Sequence, residues 1–227
     1  MKIELTGQYL LVAALAKTHA EHFSVSRKVI MSCSVKEIIT DRLVIRPHML
    51  EDVSVINDAQ KRSFSILNPW MEWAKEIPSL ENTSEFVQFS LKMWSKEKPE
   101  NLPFIVFERK SNEFVGGAGY VSIDWEVPSV EIGYWRDIKH PQKGYITEAA
   151  NALTRYAFDE LKANRVQICC DADNIASRRV PERLKFDLEA KLKNHRVKQV
   201  TKELADTLVF AIYDTKHLPN LDVGWKV

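Results

Sequence analysis

With 227 residues, 45% of them hydrophobic and 28% charged, the chain is long enough to fold around a sizeable core as one large domain or two small ones. Thirty-two Lys and Arg against 31 Asp and Glu leave a net charge of +1, too balanced for a nucleic-acid binder that works by bulk positive charge. No apolar run approaches the roughly eighteen residues of a membrane-spanning helix, so neither nucleic acid nor membrane is expected as a partner.

The N-terminal stretch, residues 1–35, reads as an extension. Its apolar run Tyr9–Ala16 ends in Ala14-Leu15-Ala16, the form of a signal-peptide cleavage site. The run is short, however, and Glu4 sits where such a peptide is basic. A short helix packed on the domain, or an extension ahead of Met31, is the expectation. His19 and His22 lack further ligands nearby and read as solvated side chains, so no metal is expected. Of the three cysteines, Cys33, Cys169 and Cys170, the last two are neighbours that would point to opposite faces of a strand and pair poorly. A reduced, cytoplasmic protein is expected.

Leu43-Val-Ile-Arg46 is a short strand bracketed by Asp41 and Pro47. Residues 51–61 and 81–96 read as helices, the second capped by Asn82 or Ser84. Strands at 104–108, 114–122 and 129–135, separated by turn residues, form an antiparallel meander. In the helix at 145–161, Ile146, Ala149, Ala150, Leu153, Tyr156, Ala157 and Leu161 make one buried stripe. A strand at 165–170, a helix at 175–184 and strands at 188–194 and 208–213 follow. No linker or repeat divides the chain after about residue 36, so the domain runs over 36–215, with a tail at 216–227. The order describes an α+β sheet with a central crossover.

Two neighbouring segments carry candidate chemistry. In Val130-Glu-Ile-Gly-Tyr-Trp135, alternation sets Glu131 apart from Val130, Ile132 and Tyr134. A carboxylate in a central strand is costly unless paired or working, and Gly133 marks a bulge or a close approach. An edge strand with a solvated Glu and an incidental Gly fits these residues equally well. The loop Lys139–Gly144 then enters a helix, where successive N–H groups and the dipole can hold phosphate oxygens. It matches neither the P-loop nor the dinucleotide fingerprint, and a lone Gly before a helix also suits an ordinary turn.

The ordered set is more specific: Thr40-Asp-Arg-Leu-Val-Ile-Arg46, the W-x-x-W element at Trp70 and Trp73, Glu131-Ile-Gly-Tyr-Trp135, Gly144-Tyr-Ile-Thr-Glu-Ala149, Asn174-Ile-Ala-Ser177 and Phe186–Asn194. Together these resemble the GNAT superfamily of acyl-CoA N-acyltransferases, and within it the RimJ/RimL-like branch of ribosomal-protein N-terminal acetyltransferases. The resemblance covers residues 36–215. It implies the GNAT fold, three layers in which helices flank a mostly antiparallel twisted sheet with a central splayed parallel pair. It also implies acetyl-CoA as co-substrate, no metal, and an amine acceptor.

Carried over by position, the resemblance places the pyrophosphate on Gln142, Lys143, Gly144, Tyr145, Ile146 and Thr147. Tyr134 and Trp135 would meet the pantetheine arm, and Asn174 would touch the cofactor. Glu131 would be the base, and Ser177 would protonate the departing thiolate. A helix first-turn hydroxyl satisfying backbone is the other reading of Ser177. Trp70 and Trp73 would line the acceptor entrance, or else staple the first helices to the sheet. An α-amine of pKa about 8, or a lysine near 10.4, must lose a proton before attacking the thioester, and a carboxylate can accept it.

The chain departs from the branch at Pro141 and Gln142, which stand where Arg or Gln and the first glycine are usual, and at Ile146, where a small residue is usual. Pro181 interrupts a helix, Lys185 replaces a glycine, and Arg196 aligns with a second carboxylate. His195 beside Arg196 is a possible substitute. The expected function is acetyl transfer from acetyl-CoA to a primary amine, with a protein N-terminal α-amine as the expected acceptor, by direct attack in a ternary complex. A polyamine- or aminoglycoside-type acceptor, or an acyl-CoA-binding regulatory domain without turnover, is the alternative. Both monomer and homodimer stay open.

Overall fold

The computed structural model describes residues 35–141 and 143–227. The N-terminal apolar run, His19, His22, Cys33 and Gln142 lie outside the described residues. The strands are β1 (Glu37–Thr40), β2 (Leu43–Arg46), β3 (Leu102–Glu108), β4 (Phe114–Asp124), β5 (Ser129–Arg136), β6 (Arg165–Asp171), β7 (Asp187–Val197), β8 (Leu204–Ile212) and β9 (Val223–Lys226). They form one sheet in the order β7-β8-β6-β5-β4-β3-β2-β1-β9. Among the described residues, four α-helices flank it: α1 (Val53–Leu67), α2 (Leu80–Trp94), α3 (Tyr145–Asp159) and α4 (Ile175–Arg183). Every neighbouring pair is antiparallel except β5–β6. Parallel strands need a long crossover, and α3 supplies it.

The expected meander is β3-β4-β5, and β4 is its centre. Residues 114–120 of β4 are buried without a break, as expected of a strand covered on both faces. Ile56 and Ala59 of α1 and Val87 of α2 pack on Ile105, Phe107 and Phe114, with Trp135 against the same cluster. From α3, the Leu153 carbonyl accepts a 2.7 Å hydrogen bond from the Tyr120 hydroxyl. The result is the three-layer α+β arrangement expected of the GNAT fold.

Besides shifted ends, such as a first helix that runs to Leu67 and a β8 that starts at Leu204, four details differ from the sequence reading. Helix α2 is capped one turn earlier than expected: Ser79 Oγ accepts from Asn82 N at 3.0 Å, and Asn82 Oδ1 accepts from Ser79 N at 3.2 Å. Asn82 is therefore the third helical residue of a capping box, which satisfies two orphan donors at once. Strand β7 continues beyond residue 194 through a bulge. Between Leu192↔Thr207 and Arg196↔Ala205 it advances four positions while β8 advances two.

The other two differences are short edge strands. β1 pairs with β2 and with β9, so the segment set apart as a tail ends inside the sheet. Four-residue strands carry too little periodicity to announce themselves, and here tertiary contacts decide. Trp225 packs edge-on against Tyr156 of α3 at 5.6 Å, and Lys36 N donates to Lys226 O at 2.7 Å.

Candidate active site

Parallel pairing of β5 and β6 lasts for three rungs, Ser129↔Arg165, Val130↔Val166 and Glu131↔Gln167. Beyond that point β5 stays with β4 as far as Arg136, and β6 stays with β8 as far as Asp171. The strands therefore splay and leave a notch with unpaired backbone along one edge of β5. A cavity of about 640 Å³ opens there. It is lined by Glu131, Tyr134, Ser177, Trp70, Trp73 and Arg196, among others.

Glu131 sits at the apex, on the last paired rung. Its Oε2 accepts from Gln167 Nε2 at 2.7 Å. Gln167 is itself held by Arg165, which also binds Glu189, and Glu189 accepts from the Tyr213 hydroxyl. A chain of polar groups thus runs from the surface to the Glu131 carboxylate and fixes its direction. On the other side, the Cys169 thiol lies close to the Glu131 carboxylate. Burial, with the Glu131 charge, pushes Cys169 up to about 12, and burial with Asp171 pushes Cys170 up to about 11. Both thiols stay protonated near neutral pH and are poor nucleophiles. Gly133, two residues on, faces the β4 bulge: a Cβ there would lie 2.4 Å from Val121 Cγ1.

Tyr134 and α4 form the opposite wall. Pro181 has no N–H for the carbonyl four residues back, and the Tyr134 hydroxyl takes that place, donating to Ser177 O at 3.0 Å. Burial holds the Tyr134 phenol well above its ordinary pKa, so it remains a donor. The Ser177 hydroxyl lies 3.3 Å from the Tyr134 oxygen and donates to it. The Ser177 amide is capped by Asn174 Oδ1 at 3.1 Å. The hydroxyl is consequently not spent on backbone and faces the cavity.

The loop after β5 is bolted to α1. Arg62 Nε donates to both oxygens of Asp137 at 2.9 Å, and Ser63 Oγ accepts from Ile138 N at 2.9 Å. The loop ends at Gly144, which is left-handed (φ 76) and offers no side-chain cap to α3. The first α3 bond runs from Glu148 N to Gly144 O at 3.0 Å. The N–H groups of Tyr145, Ile146 and Thr147 precede it, and with the dipole they make a donor set that fits a diphosphate. Lys143 is exposed beside them. Arg42 steadies the same turn, donating to Lys143 O at 3.0 Å and pairing with Glu148. The Ile146 side chain is buried, turned into the core and away from the donor set.

The remaining wall comes from α1, α2 and the β7–β8 hairpin. Trp73 is about half exposed and meets Trp135 edge-on at 5.8 Å. Arg196 Nη2 donates to Trp70 O at 3.2 Å, and Gln199 Nε2 donates to Ala74 O at 3.1 Å. His48 bonds Ser90 Oγ at 2.9 Å, and burial lowers its pKa to about 4 despite the opposing pull of Asp52. His195, the possible substitute base, hydrogen-bonds Thr207 at 3.1 Å and does not line the cavity. Gln167, Arg165 and Arg62 escaped the sequence reading because their partners are 24 to 75 residues away. The Arg42 signal was present, inside the motif at 40–46. Among the described residues no cluster of three His, Cys, Asp or Glu could hold a metal, and no helix is long and apolar enough to cross a membrane.

The acetyltransferase (GNAT) domain family matches residues 42–187. YdaF of Bacillus subtilis, whose name assigns it provisionally to the ribosomal N-acetyltransferases, is 30% identical over 163 residues, 72% of this chain and 85% of its own. The ribosomal-protein-serine acetyltransferase of Escherichia coli is 30% identical over 123 residues, 54% of this chain and 66% of its own. The solved structure of RimL, a ribosomal L7/L12 α-N-protein acetyltransferase with coenzyme A bound, superimposes with a TM-score of 0.70 at 23% identity. That superposition covers 78% of this chain and 97% of RimL. The chain belongs to the GNAT family and is an acetyl-CoA-dependent N-acetyltransferase of its RimJ/RimL-like branch.

Proposed function

We propose that the acceptor is the N-terminal α-amine of a protein, of the ribosomal-protein type, acetylated by direct attack within a ternary complex in the cytoplasm. The names of the bacterial relatives support the acceptor class. The observation that carries the mechanism is the splayed notch, with Glu131 at its apex and the Tyr134–Ser177 pair on its wall.

In this reading the amides of Gly144, Tyr145, Ile146 and Thr147, with Lys143 and Gln142, hold the pyrophosphate. The open edge of β5 at Tyr134 and Trp135 binds the pantetheine arm, and Asn174 holds α4 against it. A backbone N–H on this edge polarises the thioester carbonyl. Glu131, directed by Gln167, takes the proton of the ammonium, directly or through one water. The amine nitrogen bonds to the acetyl carbon as the C–S bond breaks. Ser177, held by the Tyr134 hydroxyl, passes a proton to the departing thiolate and takes up the second proton that the nitrogen releases as the amide forms, and Trp70 and Trp73 line the acceptor entrance.

Glu131→Gln is the direct test. Its kcat/KM at pH 7 is expected to fall by about 10²–10⁴ while acetyl-CoA affinity is retained. Unchanged turnover would remove Glu131 from the role of base. Mass detection of acetylated products over a panel of free-N-terminus peptides tests the acceptor class, and a panel with no acetylated peptide rejects it.

A further inference from the structure

Among the described residues that line the cavity, Arg196 is the one permanent cation. The β7 bulge brings it there. Asn194 adopts φ 50, its N–H is caught by Asp206 Oδ1 at 2.9 Å, and the strand re-forms at Arg196↔Ala205. Bulges re-aim side chains in this way. The guanidinium is then fixed by the Trp70 carbonyl at 3.2 Å. Among the described residues no carboxylate pairs with it, and its Nε is buried without a hydrogen-bond partner.

A partly buried guanidinium without a counter-ion is unfavourable, and a carboxylate supplied by a ligand relieves the cost. The cavity's own carboxylates are engaged elsewhere or stand outside. Glu131 holds Gln167, Asp171 Oδ1 accepts from Asp173 N at 2.9 Å, and Glu72 is exposed. The guanidinium fork matches a carboxylate in geometry as well as charge. We propose that Arg196 is a specificity-determining residue that binds a carboxylate carried by the acceptor molecule, while Glu131 receives the amine of that molecule. The inference rests on the amine-acetylating cavity described above. It selects acceptors that carry both charges and disfavours polycations, which Arg196 repels. The carboxylate has two possible sources, an acidic side chain near a peptide N-terminus or the α-carboxylate of a free amino acid.

The test uses the full chain, acetyl-CoA, and matched acceptors: a peptide with Asp at its second position against the same peptide with Asn, serine against serinamide, and spermidine. A charged hydrogen bond of this kind predicts a preference of roughly 10- to 100-fold in kcat/KM for the carboxylate member of a pair. Arg196→Gln should bring that ratio close to one, and Arg196→Glu should reverse it, with melting temperature and acetyl-CoA binding confirming that each variant is folded. A preference in the peptide pair supports both the inference and the protein N-terminal reading. A preference confined to serine over serinamide keeps the role of Arg196 and overturns the protein acceptor. Equal rates within both wild-type pairs overturn Arg196 and leave the N-terminal reading standing wherever peptides react. Spermidine as the best acceptor overturns both. The wild-type ratios decide the matter even where a variant fails to fold.

Discussion

Lys185 occupies the left-handed region at φ 62, just after α4, with an exposed side chain that forms no hydrogen bond or ion pair among the described residues. A side chain bearing Cβ is disfavoured there by about 1–2 kcal/mol, and the entropy of a glycine offsets roughly half of that. Lys185→Gly should therefore stabilise the fold by about 0.5–1 kcal/mol and raise the melting temperature by roughly 1–4 °C. A thermal melt checks it, and an unchanged or lower midpoint would show that the strain is absorbed elsewhere. The departure itself was legible in the sequence, as were Glu131, Ser177 and the interrupting Pro181. Their partners were not. That Tyr134 closes the carbonyl left open by Pro181, and that Gln167 directs Glu131, depends on a strand and a helix, or two strands, meeting 36 to 43 residues apart. Ser177 illustrates the difference: both of its readings suited the sequence, and the capping of its amide by Asn174 became visible only in the fold.

At the scale of elements, the loop after β5, proposed above to hold the pyrophosphate, is anchored to α1 through Asp137 as well as by its own bonds. Asp137 is fully enclosed and held by Arg62 and by Lys139 N at 3.0 Å. Burial works to raise its pKa, but the hydrogen bonds from Arg62 and Lys139 outweigh it, and the net value lies below 3.8. A carboxylate depressed in this way contributes its full stability above pH 3.8 and loses it as pH falls through the folded-state value. Asp137→Asn should cost roughly 2–3 kcal/mol at neutral pH. The gap to wild type should narrow as pH drops below 3.8, and the KM for acetyl-CoA should rise as the loop loosens. Denaturant midpoints measured from pH 7 to 2 follow this directly, and a gap independent of pH would contradict it. The long periodic helices and the meander were legible because each repeats its pattern over many residues. The α2 cap was misplaced by one turn because Ser79, Asn82 and Ser84 are all good capping residues, and only the geometry of the entering chain chooses among them. The bulge in β7 left no trace in the pattern, and with it the aim of Arg196 was hidden.

At the scale of the whole molecule, the sheet is closed at one end by residues far apart in the chain. β9 lies on β1 over Glu37↔Lys226 to Thr40↔Val223, at the edge opposite β7 and several strands from the notch. It covers Ile38, which is fully buried, and sets Trp225 against Tyr156 of the crossover helix. Asn151 and Arg155 of α3 both donate to Pro219 O, so the segment leading to β9 is tied to the helix whose N-terminal amides are proposed above to hold the pyrophosphate. Removing residues 221–227 leaves that tie in place but strips the outer strand. The lost apolar burial is about 2 kcal/mol, which for a domain of this size lowers the melting temperature by roughly 4–8 °C. Because the strands that line the cavity are β3 to β7, and none of its lining lies in β9, kcat and the KM for acetyl-CoA at 25 °C should change little. A melt and a steady-state assay on the same preparation separate the two effects. An unchanged melting temperature would mean that β9 adds nothing to the sheet. A loss of acetyl transfer without unfolding would mean that the far edge and the notch are coupled through α3, which packs on β1 as well as on β5 and β6.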